Sequence, residues 1–539
     1  MEWHRSLFDV VKKGKKNGLI LYGAGFWGRL GYELFAMFDL IPICYCDDDP
    51  TKIGTDYMGK PVYSLEKCAV EYKNAVYIVC IEDNIRDRTK SQKMILNLKK
   101  YQLYSNSSEI RLSYYVFLLD TGKDLFHRNI DLHNVKDTDY KWTELNKIVV
   151  LNHMLNSGSF YFEQIMDFHP NILCVPISGR FEGVYQRRLK YLEGEELLIE
   201  IMAQMTGYFH SKFEDIWCVG QHHFDGYCVD ENGAFIKELL ISPTLFAVKL
   251  LEQFRGEKAV RLKSYGNFLK ILFAAYNNCL SRRKVDAPWI LYHMHEVNFP
   301  PDKVVKQFNI NEFERFENLI IIREPVQHCY SWIKRFVIQQ KSSNMAAKHF
   351  LDIIISELGE TLEKHTEFNN VRVIKFEDLK NHFMGTVHSL CRWLDIPFND
   401  SMLQTTVNGH LIYFPANTKD GVKYITGTDR TAIGNKTFSD IFTIWDEVRL
   451  NMLYANFKNA YGYTLTIPNI KDFEKGGYEI IMKEGFKFID LVEGLLGSDL
   501  KKELNIKKEV FDIYKRYYER ANDKIDYYEC IKPEDEEIC

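Results

Sequence analysis

Short apolar runs bounded by turn residues alternate with stretches of helical period through the first hundred residues. Leu19–Tyr22 is such a run, followed by Gly23-Ala24-Gly25-Phe26-Trp27-Gly28 and a helical pattern through Phe38. Ile41–Cys46 is a second, ending in Asp47-Asp48-Asp49-Pro50, and Ala75–Cys80 is a third. Strand, helix, strand in this order predicts a small parallel α/β domain over residues 1–140. Polar clusters such as Ser105-Asn106-Ser107-Ser108 mark its approach to a boundary.

A second rhythm begins with the apolar strand Lys147–Leu151 and continues through Trp289–Leu291, Leu319–Ile322 and the run from Val373, defining a region at 145–465. Beyond it, 466–539 carries helical periodicity in Tyr478–Leu496 and Leu500–Tyr528, and ends in Glu534-Asp535-Glu536-Glu537, which reads as a solvated tail. This helical C-terminal extension is a candidate for homo-oligomer formation or acceptor docking, with simple packing against the core as the plain alternative.

Length agrees with this partition, because 539 residues exceed one ordinary core. Formal net charge is −5, which gives no global pull toward nucleic acid or an anionic membrane. No apolar stretch reaches the ~18–20 residues of a membrane helix, and the first residues lack the apolar run of a secretory signal. The expected location is the cytoplasm. Cysteines are scattered singly, the nearest pair being Cys44 and Cys46 on one strand face. Without a Cys-x-x-Cys pair they read as reduced, mostly buried thiols rather than a metal or redox site.

The chemistry concentrates in the second region. The strand ending at Leu151 leads through Asn152-His153-Met154-Leu155-Asn156 into Ser157-Gly158-Ser159, then an amphipathic helix to Phe168 and His169-Pro170. A small Gly-containing turn between strand and helix aims amides, hydroxyls and the positive helix end at one point, which suits phosphate or sulfate. Far downstream, Leu319–Ile322 runs into Arg323-Glu324-Pro325, and Ser331 falls on the following helix eight residues past the arginine. An arginine at a strand's carboxyl end with a nearby hydroxyl forms a two-pronged clamp for a phosphate monoester. The competing reading ties Arg323 to a carboxylate such as Glu324.

Together these residues resemble the two cofactor-binding motifs of the sulfotransferases that use 3′-phosphoadenosine 5′-phosphosulfate (PAPS). Ser157-Gly158-Ser159 resembles the family's 5′-phosphosulfate loop and His169-Pro170 the end of the helix that follows it. Arg323-Glu324-Pro325 with Ser331 resembles the 3′-phosphate motif. Val373-Ile374-Lys375-Phe376-Glu377-Asp378-Leu379 and Trp393-Leu394-Asp395-Ile396-Pro397-Phe398 resemble a third block, in which Glu377 and Asp378 brace the fold, and Tyr461-Gly462-Tyr463 resembles the domain's close. The resemblance implies a P-loop-like parallel-sheet sulfotransferase core. It implies PAPS bound by residues 156–160 (Asn156, Ser157, Gly158, Ser159, Phe160) with Arg323 and Ser331, and adenosine 3′,5′-bisphosphate as product.

Two positions depart from the family pattern. Asn156 stands where the loop carries Lys or Arg, and Phe160 where it has a second Thr. A cation beside the bridging oxygen stabilises the leaving group, and loss of such a group commonly costs ~10²–10³ in rate. Arg180, Lys334 and Arg335 are candidate replacements. The acceptor's proton also needs a base. His293 and His295, two apart on an extended chain, face one side; His222-His223 has less positional support, and Glu163 reads as ordinary helix surface.

Gly23-x-Gly25-x-x-Gly28 follows a strand, opens a helix and precedes Asp47 by nineteen residues counted from Gly28. That context suits a pyrophosphate on the turn and a ribose diol on Asp47. The region resembles the small Rossmann-like domains attached to bacterial polysaccharide-modifying enzymes, through Asp47-x-Asp49-Pro50, Gly54, Gly59-Lys60-Pro61-Val62 and Ser64. A bound nucleotide or sugar nucleotide and an empty scaffold with packing glycines both remain open here. The resemblance implies a carbohydrate acceptor, as in polysaccharide or glycan modification. The alternatives are a dinucleotide- or sugar-nucleotide-binding enzyme of another class and a catalytically idle nucleotide-binding protein. A phosphotransferase is disfavoured by the absence of a Lys following a Gly-rich loop.

Overall fold

The computed structural model describes residues 6–81, 89–108, 112–126, 139–153, 157–176, 181–209, 228–280, 282–294, 312–334, 370–418, 421–426, 440–464 and 527–534. The chain forms two compact units, one of residues 1–142 with 181–284 and one of 143–180 with 285–539.

In the first unit, β1 (Leu19–Tyr22), β2 (Cys44–Cys46), β3 (Asp56–Tyr57), β4 (Lys60–Tyr63), β5 (Val76–Val79) and β6 (Ser107–Ser108) form one sheet in the order β3-β4-β2-β1-β5-β6. All pairings are parallel except the β3–β4 hairpin. Parallel strands are covered on both faces and read as unbroken apolar runs, which is why β1 and β5 are buried at every position. Strand β2 is shorter than its apolar run because Pro42 has no N–H for a ladder, and Ile41 and Ile43 stand 46% and 37% exposed. Cys44 and Cys46 share a buried cluster with Cys68, and the described cysteines are free thiols.

Residues 181–284, which the sequence pattern groups with 145–465, pack in this first unit. They supply helices such as Gly194–Gln204, Pro243–Glu252 and Tyr265–Asn277. Their anchor is Glu200, fully buried on the first of these helices. Its carboxylate accepts from the Tyr115 hydroxyl at 2.7 Å, the Leu7 amide at 3.2 Å and Arg188 at 2.7 Å. Burying a carboxylate is costly unless it is paired and hydrogen-bonded, and here both oxygens are engaged.

The second unit is built on β7 (Lys147–His153), β8 (Ile172–Cys174), β9 (Trp289–His293), β10 (Arg315–Ile322) and β11 (Val371–Lys375). They pair in parallel in the order β11-β10-β7-β9-β8. The chain leaves β7 for the β8–β9 side and later returns across it to β10. The order therefore reverses between β7 and β10, and in open parallel sheets ligands bind at such a reversal, outside the strands' carboxyl ends. The fold is α/β with parallel sheets in both units.

Two hydrogen bonds tie this sheet's helices together. The His169 ring accepts the Asn171 amide at Nδ1, 3.1 Å away, so its Nε2–H donates to the Pro397 carbonyl at 3.0 Å. The Trp289 indole donates to the Leu394 carbonyl at 3.0 Å. Helix Phe383–Leu394 ends on Asp395 in the left-handed region, φ 56°. Residues 527–534 return alongside β11, where Val373 donates to Glu529 and Ile531 donates to Val373. Glu534, expected in a solvated tail, pairs with Arg392 at 2.8 Å; the predicted helices at Tyr478–Leu496 and Leu500–Tyr528 lie almost wholly outside the described residues. No helix among the described residues is long and apolar enough to cross a membrane.

Candidate active site

The carboxyl ends of β7, β9, β10 and β11 lead into Ser157-Gly158-Ser159, His293, Arg323-Glu324-Pro325 and Phe376, whereas His169 lies before β8 at the opposite edge. The Ser157-Gly158 turn follows β7 and opens helix Ser159–Met166. Gly158 has φ +93°, and a Cβ there would lie 2.2 Å from the Phe376 ring. Both facts demand glycine. The helix has no side-chain cap at its start, and the positive end of its dipole there favours an anion.

The second prong follows β10. Glu324 caps helix Pro325–Ile333, its Oε2 accepting from the Gln327 amide at 2.8 Å, and Pro325 fills the first turn. Lys458, almost fully buried, sits 2.8 Å from the other Glu324 oxygen. The carboxylate is thus held by the helix end and a lysine. Behind it, Glu377 accepts the Glu324 amide at 3.0 Å and the Tyr463 hydroxyl at 2.9 Å. This is the bracing role implied for Glu377 by the resemblance. Burial raises its pKa, against those hydrogen bonds and the Arg323 charge. Burial likewise lowers the Arg323 pKa, opposed by Glu377 and Glu324, and a guanidinium stays charged under such shifts.

Phe376 connects the two prongs, and sequence reading gave it no role. Its ring fills the space beside Gly158, and the Arg323 guanidinium carbon lies 5.3 Å from the ring centroid. A single side chain therefore touches the turn after β7 and the arginine after β10. Its only sequence signal is an aromatic directly before Glu377-Asp378.

Two hydroxyls at this edge are buried without a hydrogen-bond partner among the described residues: Ser157 Oγ and Ser331 Oγ. A buried, unsatisfied polar atom costs ~1–3 kcal/mol, and native folds keep few without a purpose. Ser159 is also buried, and Phe160 is half-buried. Donors at both prongs fit a ligand that carries oxyanions at two ends, as PAPS does.

A third feature is the pair His293–Glu163, with Nδ1 and Oε2 2.8 Å apart. His293 ends β9 and stands in register with Leu151 of β7. Glu163, expected on helix surface, is only 2% exposed. The short helix Ser159–Met166 is covered on nearly every side and buries Phe162, Gln164, Ile165 and Met166 as well, which leaves Glu163 no solvent face. Asn156 and His295 lie outside the described residues, as do Arg180, Arg335, His222 and His223. Lys334, a candidate substitute for the missing loop cation, donates instead to the Tyr330 hydroxyl at 2.9 Å, with Asp440 at 3.5 Å.

In the first unit the glycine turn is engaged from within. Asp47 accepts the Ala24 amide at 2.7 Å, the Asp49 amide at 2.9 Å and the Lys52 ammonium at 3.1 Å. A Cβ on Gly28 would lie 2.1 Å from the Gly23 carbonyl oxygen, whereas one on Gly25 meets nothing within 4 Å. No group of three or more His, Cys, Asp or Glu suited to a metal occurs among the described residues.

No family model matches the chain, and no curated protein does. Solved structures similar to it include the sulfotransferase domain from the curacin biosynthetic pathway, at 11% identity and TM-score 0.24, covering 62% of this chain and 97% of that one. The sulfotransferase domain from the Synechococcus PCC 7002 olefin synthase is 15% identical at TM-score 0.25, covering 50% and 79% respectively. Sulfotransferase STF1 from Mycobacterium tuberculosis H37Rv is 10% identical at TM-score 0.25, covering 58% and 78%.

Proposed function

We propose that the second unit is the catalytic part of a PAPS-dependent O-sulfotransferase, with a carbohydrate hydroxyl as acceptor. The observation that carries this reading is the pair of oxyanion-seeking prongs at one strand-order reversal. Ser157-Gly158-Ser159 follow β7, Arg323 and Ser331 follow β10, and the hydroxyls of Ser157 and Ser331 are buried unsatisfied. The motif resemblance supplies the cofactor's identity, and the N-terminal resemblance supplies the acceptor class.

In this reading the turn amides with Ser157 and Ser159 hold the 5′ phosphosulfate, while Arg323 and Ser331 hold the 3′ phosphate. PAPS supplies an activated sulfuryl group with a good leaving group. The chain's residues fix both phosphate ends and place the acceptor for in-line attack. A histidine of the pair His293 and His295 accepts the hydroxyl proton, and Asn156 donates a hydrogen bond where relatives of the motif carry a cation.

Calorimetry with adenosine 3′,5′-bisphosphate, 5′-AMP and NAD tests the reading on wild type and Arg323→Ala. Selective binding of the bisphosphate, weakened at least about tenfold by the substitution, is expected from loss of a charged hydrogen bond. Equal binding of 5′-AMP, or no binding of the bisphosphate, overturns it.

For the first unit, the three hydrogen bonds on Asp47 favour the scaffold reading, with Gly23 and Gly28 serving close packing. Wild type is expected to bind neither NAD nor a sugar nucleotide in the same calorimetric series. Binding that survives Arg323→Ala overturns that assignment.

A further inference from the structure

Beside the phosphate-holding residues stands a buried titratable pair that they do not use, Glu163 with His293. Each is almost completely enclosed, and the 2.8 Å Nδ1–Oε2 contact joins the helix behind the Ser157-Gly158 turn to the carboxyl end of β9. Enclosing a carboxyl group is costly without a hydrogen bond. A carboxylate can only accept, so Nδ1 carries the proton and the ring's lone pair lies on Nε2. A carboxylate behind a histidine does two things for a base: it fixes tautomer and ring angle, and it stabilises the imidazolium formed on proton uptake.

We propose that Glu163 is the positioning residue for His293, and that His293 rather than His295 is the base that deprotonates the acceptor. This rests on the sulfotransferase reading and deepens it. The acceptor hydroxyl gives its proton to Nε2 while its oxygen forms the new bond to sulfur. The bond between sulfur and the bridging oxygen breaks, and its electron pair leaves on adenosine 3′,5′-bisphosphate. The imidazolium, held against the Glu163 carboxylate, later gives the proton to solvent. Because helix Ser159–Met166 carries both the oxyanion turn and Glu163, one short element sets the donor's position and the base's orientation together.

The test compares wild type, Glu163→Ala, Glu163→Asp and Glu163→Gln in three readouts. These are calorimetric binding of adenosine 3′,5′-bisphosphate, the ¹⁵N shifts of the His293 ring (assigned by their loss in His293→Gln), and bisphosphate release from PAPS with water as acceptor. Wild type is expected to show His293 protonated at Nδ1. Glu163→Ala is expected to lose that signature and ~10²–10⁴ in rate, the range of a positioned base, while still binding bisphosphate. Glu163→Asp should recover part of both. Should Glu163→Ala fail to fold, the isosteric Glu163→Gln is the second variant: its amide can present a donor as well as an acceptor to Nδ1, so loss of the Nδ1-protonated signature and a rate loss of up to about 10⁴-fold are expected. A wild-type ring protonated at Nε2 alone overturns the proposal, as does an unchanged rate in a folded variant that binds bisphosphate. Failure of wild type to bind bisphosphate overturns the sulfotransferase reading instead, so the two failures are distinct.

Discussion

At the residue scale the site turns on Gly158 and Phe376. A left-handed conformation costs a non-glycine residue roughly 1–2 kcal/mol, and the added methyl would meet an aromatic ring at 2.2 Å. Gly158→Ala is therefore expected to destabilise by about 2–4 kcal/mol in urea unfolding and to weaken bisphosphate binding. Adding Phe376→Ala removes the obstruction, so the double variant should be less impaired than the sum of the singles; strict additivity would show that the ring is not the obstacle. The glycine was legible in the sequence, because a small residue between a buried strand and a helix has few other uses. The ring was not, since sequence separates Phe376 from Gly158 by more than two hundred positions. Glu163 failed for a related reason: its charge marked it as surface, and only the helix's enclosure shows otherwise.

At the element scale, helix Pro325–Ile333 carries the second prong and a buried histidine. Burial and the Arg323 charge depress the His328 pKa to about 3 from 6.5. The ring is neutral in the folded chain, whereas the unfolded chain takes up a proton below about 6.5. A depressed folded-state pKa gives stability that is present above the unfolded value and lost as pH falls toward 3. His328 should thus remove up to about 1.4 kcal/mol per pH unit across that window. His328→Gln is expected to flatten this acid limb in tryptophan-monitored unfolding; an unchanged slope would assign the acid sensitivity elsewhere. The strands β1, β5, β7 and β10 were legible, because parallel strands buried on both faces leave unbroken apolar runs, whereas short strands such as β3 and β6 leave no such run. Their ends were less so: β2 begins at Cys44 rather than Ile41, and β7 extends to His153 through Asn152, whose amide finds Asn318 on β10 at 3.2 Å. A polar residue inside a strand hides the strand from an apolar pattern. Asp395 adds a further prediction. It occupies a helix-ending position with φ 56°, the left-handed conformation that favours glycine, so Asp395→Gly should stabilise by about 0.5–1 kcal/mol, seen as a rise in Tm.

At the scale of the whole molecule, chain order and packing diverge. Residues 181–284 interrupt the second unit in sequence and pack in the first. Apolar periodicity shows that a helix buries a face, but carries no information on which sheet covers it. The same limit hid the course of the last residues, because the pairing of 527–534 with β11 depends on a distant strand edge. Ile531 joins the cluster that lines helix Phe383–Leu394 and β7, the Tyr461 hydroxyl donates to the Tyr528 carbonyl at 3.2 Å, and Glu534 reaches Arg392. An edge strand left uncovered exposes unpaired amides and carbonyls to other chains. Residues 527–534 therefore act as a clasp on the second unit. Ile531→Ala is expected to destabilise by about 2–4 kcal/mol, as for other buried large-to-small changes, and truncation after 526 should cost more and promote aggregation. Because the first unit has its own sheet and core, calorimetry should show one melting transition falling while another holds. A uniform shift of both, or no shift in either, would mean that the clasp does not support the second unit in particular.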